Sequence, residues 1–174
     1  MQVSAHRGSL CNRSYGILPD MRPRNREVQD ALDRAGIGSR IVVLDAHART
    51  AVLAAEQLGC PVGAIANSLV FLADGEPLLV MASGGARVDT DVIARAVGAA
   101  TVGKADAEQV RAATGQAIGG VAPTGHPRPL RTLVDEDLRA HEEVWAAGGT
   151  PDTVFPLSFE ELVALTGGTV ATVR

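Results

Sequence analysis

The stretch from Gly119 to Pro129 holds the residue types best suited to chemistry on an acyl group. It reads Gly-Gly-Val-Ala-Pro-Thr-Gly-His-Pro-Arg-Pro. Its three prolines stiffen the backbone, and its three glycines let main-chain atoms come close to a neighbour. An ester under attack gathers negative charge on its carbonyl oxygen. Backbone N–H groups held in a rigid turn stabilise that charge, and losing one such donor costs roughly 10²–10³ in rate. A turn of this composition also serves as plain structure, and the residues alone leave both roles open for Gly119, Gly120 and Pro123. Thr124, Gly125 and His126 lie beside the same turn. His126 has a side chain that titrates near neutrality, although a lone loop histidine is more often simply solvated.

Other polar residues stand where apolar ones are expected. Asn67 interrupts the apolar run from Ile65 to Ala73. It suits the wall of a pocket better than the alternative, an amide satisfied at a strand end. Ser68 follows it and points to the opposite face of a strand, where a hydroxyl bonded within the core is the simpler role. Asp135 closes a short apolar run. A carboxylate there caps the next turn, holds an amino group or orients a water, and capping is the simplest of the three. Arg49 and Arg87 each precede a helix and are candidates for phosphate contact, an exposed arginine being more often only solvated.

Several chemistries find no support. The four histidines (His6, His47, His126, His141) are scattered and show no zinc-ligand spacing, and neither CxxC nor HExxH occurs. No metal site is expected. The two cysteines, Cys11 and Cys60, read as free thiols. Cys60 beside Pro61 has no visible basic partner and is expected to be buried rather than nucleophilic. There is no Gly-x-Ser-x-Gly motif. Gly36-Ile37-Gly38 lacks the third glycine of a dinucleotide fingerprint.

The chain of 174 residues, 46% hydrophobic and 21% charged, fits one globular domain with a real core. Its net charge is -4, so any nucleic-acid contact should be local rather than a long grip on phosphates. Of the 16 basic residues only Lys104 is lysine, which gives a lysine-dependent mechanism a single candidate. The longest apolar run, Ser68 to Ala73, is strand-sized. With no apolar leader visible, the expected location is the cytoplasm.

The elements that must position these residues follow from periodicity and caps. Residues 1–20 read as a mobile tail, and 21–174 as the domain. Val28, Ala31, Leu32 and Ala35 give one face of a helix that starts at Pro23 and stops at Gly36. Ile41 to Leu44 is a short strand. Thr50 caps a helix over 51–58, which Gly59 ends. Asp74-Gly75 between Ile65–Ala73 and Pro77–Ala82 predicts a hairpin. Asp89 caps a helix through Val97, and Asp106 with Gln109 forms a capping box for one ending near Gly115. A short strand or connector follows at 101–103, and strands at 131–135, 142–146 and 153–157. Ser158 with Glu161 opens a last helix, and 169–173 is a last strand. The mixture implies an α/β or α+β fold, a mixed and mostly antiparallel sheet surrounded by helices.

The ordered series "AAEQLGCPVGAIANSLVF", "LLVMASGGARVD", "KADAEQVRAATGQAIGGVAPTG", "LVDEDL" and "FPLSFEELVALTGGTVATV" resembles the YbaK-type aminoacyl-tRNA deacylases and the editing insertion of prolyl-tRNA synthetase. The likeness runs from about Pro23 to Val173. It implies hydrolysis of the ester linking a wrong amino acid to the 3′ end of tRNA, without metal, cofactor or covalent intermediate. The implied partners are that aminoacylated end and its small amino-acid moiety, with no membrane. The oligomeric state is open, a homodimer being one option. The resemblance sets the family's Gly-x-x-x-Pro loop on Gly119 to Pro123 and its acidic position on Asp135. It sets the family lysine on Asn67, which brings no charge, and Lys104 does not replace it. A trans-acting deacylase is the first reading. A binding module for aminoacylated ends or a small amino-acid-like ligand is the second, and a scaffold that kept only the fold is the third.

Overall fold

The computed structural model describes residues 21–45 and 48–174. The tail expected over 1–20, with His6 and Cys11, lies outside the described residues, as does His47.

Helices form where local chemistry starts and stops them. α1 (Pro23–Arg34) has proline in its first turn and buries Val28 and Leu32. α2 (Ala51–Leu58) begins at Thr50, whose hydroxyl accepts the Leu53 N–H at 3.2 Å, and ends at Gly59. α3 (Thr90–Val97) is capped by Asp89. α4 (Ala107–Thr114) and α5 (Phe159–Thr166) open with the Asp106–Gln109 and Ser158–Glu161 capping boxes, each bonded in both directions. These caps satisfy amides that have no partner inside the helix.

The sheet is built on the hairpin of β2 (Ile65–Ala73) and β3 (Glu76–Ser83). Asp74 and Gly75 turn it with φ of 49° and 88°, the pair of positive values that a tight hairpin needs. The Asp74 carboxylate also accepts the amides of Ala100 and Thr101, and these bonds hold its pKa below the usual range. Around the hairpin stand β1 (Val42–Val43), β4 (Val102–Lys104), β5 (Arg131–Asp135), β6 (Val144–Ala147), β7 (Thr153–Leu157) and β8 (Thr169–Ala171). The order is β1-β7-β6-β2-β3-β5-β8, with β4 also on β2. Among the described residues four pairings are antiparallel and three, β2–β6, β3–β5 and β5–β8, are parallel.

Several boundaries differ from the sequence reading. β1 is reduced to Val42 and Val43, while Ile41 and Leu44 are buried beside it. β6 starts at Val144 rather than 142, because Glu142 and Glu143 are exposed and lie before the paired run. β8 stops at Ala171. Two 3₁₀ turns, Val62–Ala64 and Glu136–Ala140, had no periodic signal to announce them.

Side chains of β2 alternate between two packed faces. Ala66 and Val70 share a core with Val28 and Leu32 of α1, Leu162 of α5, and Val121 and Ala122. Phe71 and Ala73 share another with Ile93 and Val97 of α3. Ile65 joins Trp145 and the buried side of α2.

Candidate functional site

β2 is paired along its whole length on the β3 edge but only at its two ends on the other. There Ile65 and Ala66 pair with β6, and Phe71 to Ala73 pair with β4. The Val70 carbonyl accepts the Ala105 N–H at 3.2 Å, so it faces this second edge. Main-chain groups two residues apart in a strand point the same way. The Ser68 N–H and C=O therefore face the break, where no described strand pairs with them. The Ser68 hydroxyl turns into the core and lies 3.4 Å from the Met81 sulfur.

Asn67 projects on the other face, half-buried at the margin of this break. Its carboxamide has no hydrogen-bond partner among the described residues. It pairs across the hairpin with Ala82, and Met81 pairs with Val134. Ala82 therefore lies level with Asp135. Asn67 and Asp135 stand on one face, about 10 Å apart with the small Ala82 between them. Asp135 itself is closed to solvent. One carboxylate oxygen accepts the Ser83 N–H at 3.0 Å and the other the Asp137 N–H at 3.1 Å. Burial pushes its pKa up, while the Ser83 bond and Arg174 pull it down. This geometry makes it a clamp between the end of β3 and the following 3₁₀ turn.

The loop from Gly119 to Pro123 is held from three sides. Gly119 is exposed with φ of 87°, and Pro123 is buried. Gly120 packs against the β6–β7 turn so closely that a Cβ there would sit 2.5 Å from the carbonyl carbon of Thr150. The Gly120 N–H donates to the Ala117 carbonyl at 3.0 Å, closing a turn. The Ala122 N–H donates to the Gln116 side-chain oxygen at 2.7 Å. The Ala122 carbonyl meets His126 Nε2 at 2.8 Å. The amides of Gly119 and Val121 bond to no described residue. Of the amides in this stretch, those of Gly120 and Ala122 are therefore already occupied.

Gln116 is the residue that sequence reasoning missed. It is 2% exposed, and its amide nitrogen also donates to the Thr124 carbonyl at 3.3 Å. Thr114, itself buried, accepts the Gln116 N–H at 3.0 Å. A glutamine between a helix stop and a glycine pair looks like a surface residue, and only its long-range burial reveals its role. His126 is likewise no solvated loop histidine. It is half-buried, and burial lowers its pKa against the opposing pull of the Ala122 carbonyl. Gly125, at φ of 79°, lies against Val28 of α1, and Thr124 is half-buried beside it.

Arg49 and Arg87 are exposed and have no ion-pair or hydrogen-bond partner among the described residues. A Cβ on Gly84 would lie 2.4 Å from the Val62 carbonyl oxygen and 3.1 Å from the Ala51 Cβ. This close approach brings together the two segments that carry these arginines, on the side of the sheet where Asn67 projects. Lys104 is exposed on β4, at the far end of β2 from Asn67. Cys60 is half-buried rather than fully buried and forms no disulfide. No cluster of metal-ligating side chains occurs among the described residues. An open groove of about 930 Å³ lies elsewhere, at the tip of the β2–β3 hairpin between α3, α4 and residues 127–131. Neither Asn67, Asp135 nor the Gly119–Pro123 loop lines it. No helix among the described residues is long and apolar enough to cross a membrane.

Known proteins resemble this chain in sequence and fold. Residues 45–165 match the model of the aminoacyl-tRNA editing domain. A solved structure described as that of a candidate trans-editing enzyme for prolyl tRNA synthetase is 45% identical. It superposes with a TM-score of 0.84, over 89% of this chain and 99% of its own. The proline–tRNA ligase of Nitratidesulfovibrio vulgaris is 31% identical over 91 residues, and the chain spans 16% of that protein's length. A second proline–tRNA ligase, from Leuconostoc citreum, is 34% identical over 96 residues, again with 16% of its length spanned. The uncharacterized protein YwhH of Bacillus subtilis is 28% identical over 123 residues, which cover 70% of this chain and 78% of YwhH. The mixed sheet, its superposition on that solved structure and the match over most of the domain lead to one statement: this chain belongs to the aminoacyl-tRNA editing domain family.

Proposed function

We propose that the protein is a trans-acting deacylase that hydrolyses the ester of a mischarged tRNA. The observation that carries this reading is the stiff Gly119–Pro123 loop, packed in one core with the β2 residues that flank the break. At the same break the unbonded Asn67 carboxamide projects from the opposite face of β2.

In this reading the aminoacyl ester enters at the break with its carbonyl oxygen toward the loop. Water adds to the carbonyl carbon, and loop amides hold the charge that develops on oxygen. The C–O bond to ribose then breaks. The ribose oxygen takes up a proton originating from the water, and the free amino acid leaves. Asn67 donates a neutral hydrogen bond where a lysine would donate a charged one, and charged bonds are roughly twice as strong. The labile ester needs positioning more than activation. Arg49 and Arg87 contact phosphates near the tRNA 3′ end, and Ser68 offers its backbone N–H at the break. Thr124 and Gly125 border the loop, and Asp135 holds the pocket floor in place.

The test is a deacylation screen over several mischarged tRNAs, with wild type and Asn67→Lys side by side. Wild type should speed release of at least one amino acid, and Asn67→Lys should change its rate or its substrate. Decay of every tRNA at the rate in buffer would remove the reading. The neutral Asn67 favours a second one, a module that binds the aminoacylated end without turnover. Saturable binding combined with unchanged ester half-lives would support it.

A further inference from the structure

The hydrogen bonds of the loop go further than the deacylase reading, on which this inference rests. Ala122 is gripped at both main-chain groups, its N–H by Gln116 and its C=O by His126. Gly120 is locked into a turn with Ala117. The alternate amides, at Gly119 and Val121, are left over. Val121 as a residue is 3% exposed and its N–H has no partner among the described residues; a main-chain N–H shut away from water without a partner is rare, since leaving one unmade costs about 1–3 kcal/mol. Such a group is explained when a ligand completes it.

We propose that the Gly119 and Val121 N–H groups are the pair that receives the acyl oxygen, and that Gln116 is the positioning residue that presents them. Gln116 spans the loop from inside. Its oxygen fixes Ala122 and its nitrogen fixes Thr124, so the backbone on either side of Pro123 cannot rotate independently. With Ala122 held, the peptide plane before it, which carries the Val121 carbonyl, has one setting. The Val121 N–H belongs to the preceding plane, which is flanked on its other side by the plane that the Gly120–Ala117 bond holds. Gln116 touches no substrate and acts only through these amides. His126 supports the same setting from the carbonyl side.

Two measurements on the full chain test this. The first is single-turnover deacylation together with affinity for the uncharged tRNA, for wild type, Gln116→Ala and Gln116→Glu. Gln116→Ala should lose roughly 10²-fold in the rate of the chemical step, the scale of one lost oxyanion donor, with tRNA affinity changed less than about twofold. Gln116→Glu keeps the acceptor for the Ala122 N–H and should recover at least tenfold of that loss. A Gln116→Ala protein with wild-type rate, or one that loses rate and affinity equally, overturns the assignment. The second needs no variant and therefore survives a Gln116→Ala protein that fails to fold. Amide exchange on the wild type should find Gly120 and Ala122 protected and Gly119 and Val121 exchanging faster. Protection of Val121 equal to that of Ala122 overturns the inference while leaving the deacylase reading intact. A wild type without deacylation of any tRNA tested removes that reading instead.

Discussion

His126 sits where its charge state and the loop geometry are linked. Burial lowers its pKa from the ordinary value of about 6.5. The folded state therefore binds fewer protons than the unfolded chain just below that value. Stability from this group is fully present above the unfolded pKa and is lost as pH falls through it toward the folded pKa. Denaturant midpoints of the wild type should accordingly fall as pH drops below about 6.5. His126→Gln, whose side-chain nitrogen can still donate to the Ala122 carbonyl, should flatten that slope while keeping much of the stability at pH 8. An unchanged slope in the variant would show that another group is responsible. Asp135, raised mainly by burial, acts in the same proton-counting sense but opposite direction and at lower pH. Its folded state holds the proton longer, so its contribution declines as pH rises through the carboxylate range.

Helix ends and the hairpin could be read directly because their signals are local. Thr50, Asp89, Asp106 with Gln109, and Ser158 with Glu161 all cap the helices they announce, and Asp74-Gly75 turns the hairpin. What could not be read depends on partners far along the chain. Asn25 belongs to the first turn of α1 and is fully buried. Its amide donates to the Gly148 carbonyl at 2.8 Å and to the Thr153 hydroxyl at 3.0 Å, fastening α1 to the β6–β7 turn. Neither contact has any trace within a window of neighbouring residues. Asn25→Ala leaves a buried carbonyl unpaired and should cost about 1–3 kcal/mol, measured as a fall in the urea midpoint at unchanged m-value. The same turn backs Gly120, so the variant should also blunt deacylation through a loosened loop. Gln116 escaped notice for the same reason, since its partners Ala122 and Thr124 are near in sequence but its burial is set by the whole core.

For the molecule as a whole, the family likeness located the loop and the Asn67 position, whereas the break in the sheet, with the loop in the core on one face of β2 and Asn67 projecting from the other, emerges only from strand order and packing. β6 and β4 share one edge of β2 without meeting, so an interior strand is left open over residues 67–69. At about 3.3 Å per residue, the opening is about 10 Å long. On the deacylase reading, a single acyl group on a slender nucleotide end enters this opening. An extended polypeptide does not, because docking along a strand edge needs several consecutive residues. Peptidyl-tRNA should therefore survive in the presence of the protein under conditions where an aminoacyl-tRNA that it accepts is cleared, as release of labelled peptide would reveal. The missing rungs of this sheet would then act as a length gauge, sparing growing chains on the ribosome's own substrates while admitting a lone residue.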